Sequence, residues 1–232
     1  MTETVRLIAL ALRLVAGRRW WIAPLLPLAW PGFVAFQLLV GWLEESPSAA
    51  SAQGVLIGFP LAVLAVALGV RVIAGELDQR TLEIAYTVPG GAVRVWLAKL
   101  SAATFLLLLA ELLLAVAVFT VFTSFPAGAL LGALESALFY LAAATGLAAL
   151  FRSEITGALA SAALLGLNGL LTGFGDLQTR VSPFFNPLAV DDVSEATVRA
   201  WTVQNRIGVA LATAALVALA VRRAENRERM LG

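Results

Sequence analysis

The sequence predicts an all-α polytopic membrane domain spanning residues 1–232, with six transmembrane helices, an N-terminal interfacial helix and both termini cytoplasmic. Three observations lead there. Of the 232 residues, 60% are hydrophobic and only 13% charged, with a mean hydropathy of +0.90, whereas an ordinary soluble domain is roughly a quarter charged. So few charges cannot give this chain a water-soluble surface. The uncharged runs are long enough to cross ~30 Å of hydrocarbon, which takes about 20 residues of helix. The basic residues are also distributed unevenly, thirteen of sixteen falling in the segments on one side.

Six runs qualify as spans: Trp20 to Leu43, Gly54 to Val70, Ala98 to Phe122, Gly128 to Phe151, Ile155 to Gly175 and Thr202 to Val221. Basic residues in short loops are retained in the cytoplasm. With the N-terminus inside, only Arg180, Arg199 and Arg206 fall outside. Trp20, Trp21 and Trp96 sit at inner boundaries and Trp42 and Trp201 at outer ones, as amphipathic indoles should; Trp30 is the exception. Ala50-Ser51-Ala52 resembles a signal-peptide cleavage site, but the uncharged run before it is longer than an h-region of 7–15 residues.

Residues 1–19 precede the first span. Glu3, Arg6 and Arg13 fall on one side of a helix there, and Val5, Leu7, Ile8, Leu12 and Val15 cover much of the rest. This fits a helix lying in the inner interface, or a plain cytoplasmic extension of the first span. Pro24, Pro27 and Pro31 should kink that span or delay its helix. Residues 176–205 form the longest outer segment. Its Phe184-Phe185 and Pro187-Leu188 cluster fits an outer cap dipping into the membrane, with a mobile loop as the alternative, and Asp191, Asp192 and Glu195 are candidate helix starts.

The near-neutral charge, +1, leaves no electrostatic footprint for nucleic acid. The absence of histidine and cysteine removes imidazole and thiolate metal sites, disulfides and Cys or His nucleophiles. No arrangement supports catalysis, so the chain reads as a non-enzyme. Glu111 and Glu135 lie inside the third and fourth spans, where a charge costs ~2.5–3.5 kcal/mol, so both should point into the bundle. Ser101, Thr104 and Glu111 share a stripe, as do Gly128, Gly132 and Glu135, and Gly157, Ser161, Asn168 and Thr172. Gly169 and Gly173 form a small-xxx-small pair suited to packing. Glu111, Glu135 and Asn168 either line a translocation route or make interhelical hydrogen bonds.

Residues 75–91 carry the clearest functional signal. Leu77, Arg80, Ile84 and Val88 follow a helical period, Glu76 and Asp78 stand at its start, and Pro89-Gly90-Gly91 ends it. Such a cytoplasmic amphipathic helix can contact headgroups or another protein.

At Glu76, Thr81-Leu82-Glu83, Pro89 and Lys99 the chain resembles the type-2 permease subunits of ATP-binding-cassette exporters, with Arg80 where that family usually has glycine. Six spans, an interfacial helix, inner termini and a long last outer loop extend the resemblance along the chain. It implies that residues 75–91 are a coupling helix, with Glu76, Asp78, Arg80, Thr81, Leu82, Glu83 and Pro89 meeting a separate cytoplasmic ATPase. It further implies a homodimer or pseudo-dimer in the cell (inner) membrane, moving its substrate outward; the mostly aliphatic spans suggest that this cargo is amphiphilic or apolar. No cofactor is expected in this chain, and ATP and Mg²⁺ would sit on the partner. The only lysine, Lys99, follows Ala98, so the Gly-Lys pair of a phosphate loop is missing here. Alternatives are a haem-exporter-B-like subunit of cytochrome c maturation, an ion-coupled transporter using Glu111 and Glu135, and a membrane anchor.

Overall fold

A computed structural model describes residues 3–78, 91–173, 180–190 and 193–225. Among these the chain is helical, without strands, and six helices are long and apolar enough to cross a membrane, which fits a multi-pass membrane protein.

Helix α1 (Glu3–Ala16) ends at Gly17, whose φ of +82° is the left-handed stop that glycine adopts without strain. Its Ala11, Leu12 and Val15 are buried, packed largely against the long helix α4 (Gly91–Val121), while Leu10 and Leu14 are exposed.

The first span, Trp20–Leu39, begins as a 3₁₀ helix (Trp20–Leu28) and continues as α2 (Ala29–Leu39). Pro24 and Pro27 each remove an N–H, so an α ladder would be broken twice within four residues, and the tighter coil prevails. Pro31 falls in the first turn of α2, where the N–H has no helical partner anyway. A 3₁₀ rise of ~2.0 Å and an α rise of ~1.5 Å make these 20 residues about 34 Å long, enough to cross. The span therefore stops at Leu39, four residues short of the expected Leu43.

Helix α3 (Ala49–Asp78) begins earlier than Gly54 because Ser48 caps it, its Oγ accepting from Ser51 N–H at 3.3 Å. Residues Ala52–Gly58 are π-helical. Pro60 supplies no N–H to the ladder, and Phe59 N–H donates five residues back to the Gly54 carbonyl. Glycine is required at position 58, where a Cβ would lie 2.6 Å from the Gln53 carbonyl oxygen.

Helices α4, α5 (Ala127–Phe151), α6 (Glu154–Gly173) and α7 (Glu195–Glu225) complete the bundle. The first and last exceed the expected spans: α4 starts at Gly91 rather than Ala98, and α7 at Glu195 rather than Thr202. Of the candidate helix starts, Glu195 is the one the structure uses, while Asp191 and Asp192 lie outside the described residues. Helices α3 and α5 form the centre, and they approach closely because Gly69 lacks a side chain. A Cβ there would stand 2.6 Å from the Leu141 carbonyl oxygen. Thr145 Oγ1 donates to the Gly69 carbonyl at 3.1 Å beside that crossing. Gly157 does the same for α6 on α5, where a Cβ would meet Ala148 Cα at 2.6 Å. Gly169 does not share this role: a Cβ there would meet nothing within 4 Å, so the expected packing of the Gly169–Gly173 pair is not made at Gly169.

The bundle has two chemically distinct ends. At the basic end lie Arg18, Arg19, Arg71, Arg94, Lys99, Arg152, Arg222 and Arg223. The other, the cap end, is filled by residues 180–190.

Candidate functional site

The described flanks of the segment singled out by the sequence lie at the basic end. Arg80, Thr81, Leu82, Glu83 and Pro89 lie outside the described residues, so the structure speaks to its two flanks. There Glu76, near the end of α3, is buried, and its Oε1 stands 2.8 Å from Nζ of Lys99 on α4. Trp96 Nε1 donates to Glu76 Oε2 at 3.0 Å, and Lys99 Nζ donates to the Val72 carbonyl at 3.2 Å. Trp96 is itself fully buried. Spacing explains the convergence: Trp96 and Lys99 lie three apart on one face of α4, opposite Val72 and Glu76, four apart on α3. The two helices on either side of residues 79–90 are thus clamped by one low-exposure ion pair.

Asp78 makes a second tie. Its Oδ2 accepts from the backbone N–H of Glu154 at 3.0 Å and so caps α6 from another helix. Just before that helix, α5 ends on Arg152 in the left-handed conformation, φ +56°. Arg71 donates to the Val15 carbonyl of α1 at 3.1 Å and lies 3.8 Å from Glu154 Oε2. Sequence reasoning missed Glu154, Trp96 and Arg71, because each acts through a contact between distant segments that no local pattern announces.

Inside the bundle Glu111 is 7% exposed, and its Oε1 has no hydrogen-bond partner. It does point inward, as its insertion cost requires. The stripe expected for it divides, however: Ser101 is exposed and borders, with Thr104, a groove between α4, α5 and α7, whereas Glu111 turns into the core. Glu135 has a partner. Arg206 on α7 donates from Nη1 to Glu135 Oε2 at 3.0 Å, both side chains about four-fifths buried. Gly132, one turn away, leaves room for this pair, since a Cβ there would lie 2.5 Å from Arg206 Nη2 and 2.6 Å from Gln53 Nε2. Gly128, expected on the same stripe, is exposed.

The cap is fastened into the bundle by side-chain amides and hydroxyls. Gln53 Nε2, within the π-helical turn, donates to the Phe185 carbonyl at 3.1 Å, and Asn205 Nδ2 donates to the Ser182 carbonyl at 2.9 Å and to the Arg180 carbonyl at 2.7 Å. Ser136 Oγ donates to the Pro183 carbonyl, and Asn186 Nδ2 to the Ala50 carbonyl at 2.7 Å. Asn168, a predicted polar contact, is one: Ser182 Oγ donates to its Oδ1 at 3.0 Å, and its Nδ2 donates to Tyr140 Oη at 3.0 Å. Ser182, Phe185 and Asn186 are buried in consequence. Four carbonyls of this irregular segment, those of Arg180, Ser182, Pro183 and Phe185, are therefore satisfied by the spans, as loop structure at depth in a membrane protein requires.

Beside the cap, between the first span, α3 and α6, is a cavity of about 730 Å³. Trp30, Phe59, Leu165, Gly169, Phe184 and Asn186 are among its walls. Trp30 packs on Phe59 with ring centroids 5.4 Å apart, and its buried Nε1 has no partner. The cavity is largely apolar with one amide at its edge. Among the described residues no cluster of acidic side chains could hold a metal ion. No protein-family model, no curated protein and no solved structure matches this chain.

Proposed function

We propose that this chain is the permease subunit of an ATP-driven exporter, working as a dimer of permeases with a separate cytoplasmic ATPase in the cell membrane. The basic end faces the cytoplasm, following the rule that retains arginine and lysine there. The observation that carries the reading is the buried Glu76–Lys99 pair. It joins the helix entering the 79–90 segment to the helix leaving it, at two positions of the exporter resemblance. A push on the segment is then delivered to α3 and α4 together rather than absorbed at its ends. Glu76 and Asp78 serve in this reading as anchors, and Arg80, Thr81, Leu82, Glu83 and Pro89 supply the docking surface.

The cargo is amphiphilic or apolar, which suits the 730 Å³ cavity with its aromatic walls and single amide. The fastened cap closes the outer side, so release requires loosening the contacts of Gln53, Asn168 and Asn205, an alternation between two packings. ATP and Mg²⁺ belong to the partner.

Leu82→Asp tests the reading. An unpaired carboxylate at a protein interface costs several kcal/mol, while insertion of the spans is untouched. The expected protein inserts normally but co-purifies poorly with its ATPase, or binds it without substrate-stimulated hydrolysis. A wild-type chain with no ATPase partner, or a Leu82→Asp chain with full binding and transport, refutes it.

One observation favours a second reading. The buried carboxylate of Glu111, with an unpaired oxygen, is what an ion-coupled transporter would use. Loss of transport and of its pH dependence in Glu111→Gln, with ATP hydrolysis intact, would select it. A haem-exporter-B-like subunit shares the architecture and would change only the cargo.

A further inference from the structure

A second apolar groove, of about 340 Å³, runs along α5, α6 and α7. Phe139, Gly146, Leu150, Leu164 and Leu219 border it, and Arg223 stands at one end. Its position along the helices can be counted. From Phe139 to Leu150 is eleven residues of α5, about 17 Å at 1.5 Å per residue, ending at the basic end. Leu164 lies ten residues from the start of α6 at that same end, about 15 Å away. Both distances match one leaflet of a ~30 Å hydrocarbon core. The groove thus reaches from mid-membrane to the basic boundary.

Among the described residues no acid pairs with its charged end. Arg223 donates to the Ala149 carbonyl at 3.4 Å and the Leu150 carbonyl at 3.3 Å, long bonds to the C-terminal turn of α5 that leave donors over. Arg152, exposed and one residue past the end of α5, makes no ion pair among the described residues. Its left-handed backbone carries the side chain out of the helical path. Glu154, the nearest acid in sequence, is engaged by Arg71.

We infer that this groove binds an anionic glycerophospholipid of the leaflet at the basic end, one acyl chain lying between α5, α6 and α7 and the phosphate between Arg223 and Arg152. An acyl chain is the occupant because the groove has one leaflet's length and apolar walls, and Arg223 at its end, with Arg152 two residues beyond the lining Leu150, selects negative over zwitterionic headgroups. Gly146 is a natural gate for the test, because a Cβ there meets only Ala220 Cβ at 4.0 Å. A larger side chain therefore enters the groove instead of the protein.

The full chain in detergent would be titrated with phosphatidylglycerol, phosphatidylcholine and inorganic phosphate, following the thermal midpoint and the bound lipid by native mass spectrometry. Wild type should bind phosphatidylglycerol in preference to phosphatidylcholine and ignore inorganic phosphate. Arg152→Gln and Arg223→Gln should each weaken phosphatidylglycerol about fivefold, the effect of ~1 kcal/mol per basic residue. Gly146→Leu should abolish it while leaving the elution profile unchanged. Arg152 is exposed, so its variant folds even if Arg223→Gln loosens the end of α5. Equal binding of both lipids, full binding by Gly146→Leu or by Arg152→Gln, or equal stabilisation by inorganic phosphate would overturn the inference. So would a second copy of the chain covering the groove, seen as a lipid-independent dimer that Gly146→Leu dissociates.

Discussion

Two ion pairs, one buried and one partly buried, can be separated by substitution. At the Glu76–Lys99 pair, Lys99→Met leaves a carboxylate buried without its ammonium, which should cost ~3–5 kcal/mol. Adding Glu76→Gln should recover most of that loss, because a neutral amide can still accept from Trp96 Nε1. Thermal unfolding of the two variants in detergent reads both, and a double variant no better than the single one would count against the pair as the source of the loss. For Glu135 and Arg206, a double-mutant cycle using Glu135→Gln and Arg206→Met should show a coupling of about 0.5–3 kcal/mol; additive losses would mean the contact does not hold α5 to α7. The sequence indicated that Glu111 and Glu135 face inward, because only the cost of charge in lipid was needed. That Arg206 meets Glu135, and that Lys99 meets Glu76, depends on helix pairing, which no periodicity encodes.

Among the elements, the glycines decide which helices can be neighbours. Gly69→Val places a branched side chain against the Leu141 carbonyl, 2.6 Å from the Cβ position. Backbone must move, and overpacking costs typically 1–3 kcal/mol, more where helices separate. Gly128→Val is the control, since its Cβ would meet nothing within 4 Å; in the exposed first turn of α5 the substitution loses no contact. Gly69→Val should lower the thermal midpoint and the yield of folded protein, and Gly128→Val should not; equal effects would refute the close α3–α5 crossing. Span existence was legible because length and hydropathy are local. The ends were less so. Gly91 opens α4 seven residues before the apolar run, since a helix continues past the hydrocarbon wherever its polar groups find partners, as the Trp96 indole N–H does on Glu76. The π-helical turn at Ala52–Gly58 and the 3₁₀ start at Trp20 had only their prolines and glycines as signals.

At the scale of the whole molecule, the arrangement of charge and cap sets a direction across the membrane. The basic end gathers most of the described arginines and the 79–90 flanks, while the cap end holds Arg180 and also Ser48 and Glu195, both exposed. If the positive-inside rule governs this chain, the cap end is outside. The native sequence has no cysteine, so single cysteines report without background. Ser48→Cys and Glu195→Cys should react with a membrane-impermeant maleimide on sealed cells, because both positions lie on exposed surface at the cap end. Arg80→Cys and Arg222→Cys should stay unmodified until the membrane is opened; Arg222 is exposed at the basic end, so protection there comes from the bilayer and not from packing. Labelling of 80 and 222 with protection of 48 and 195 would invert the orientation. The 79–90 segment would then face away from cytoplasmic ATP, and the exporter reading would fall with it.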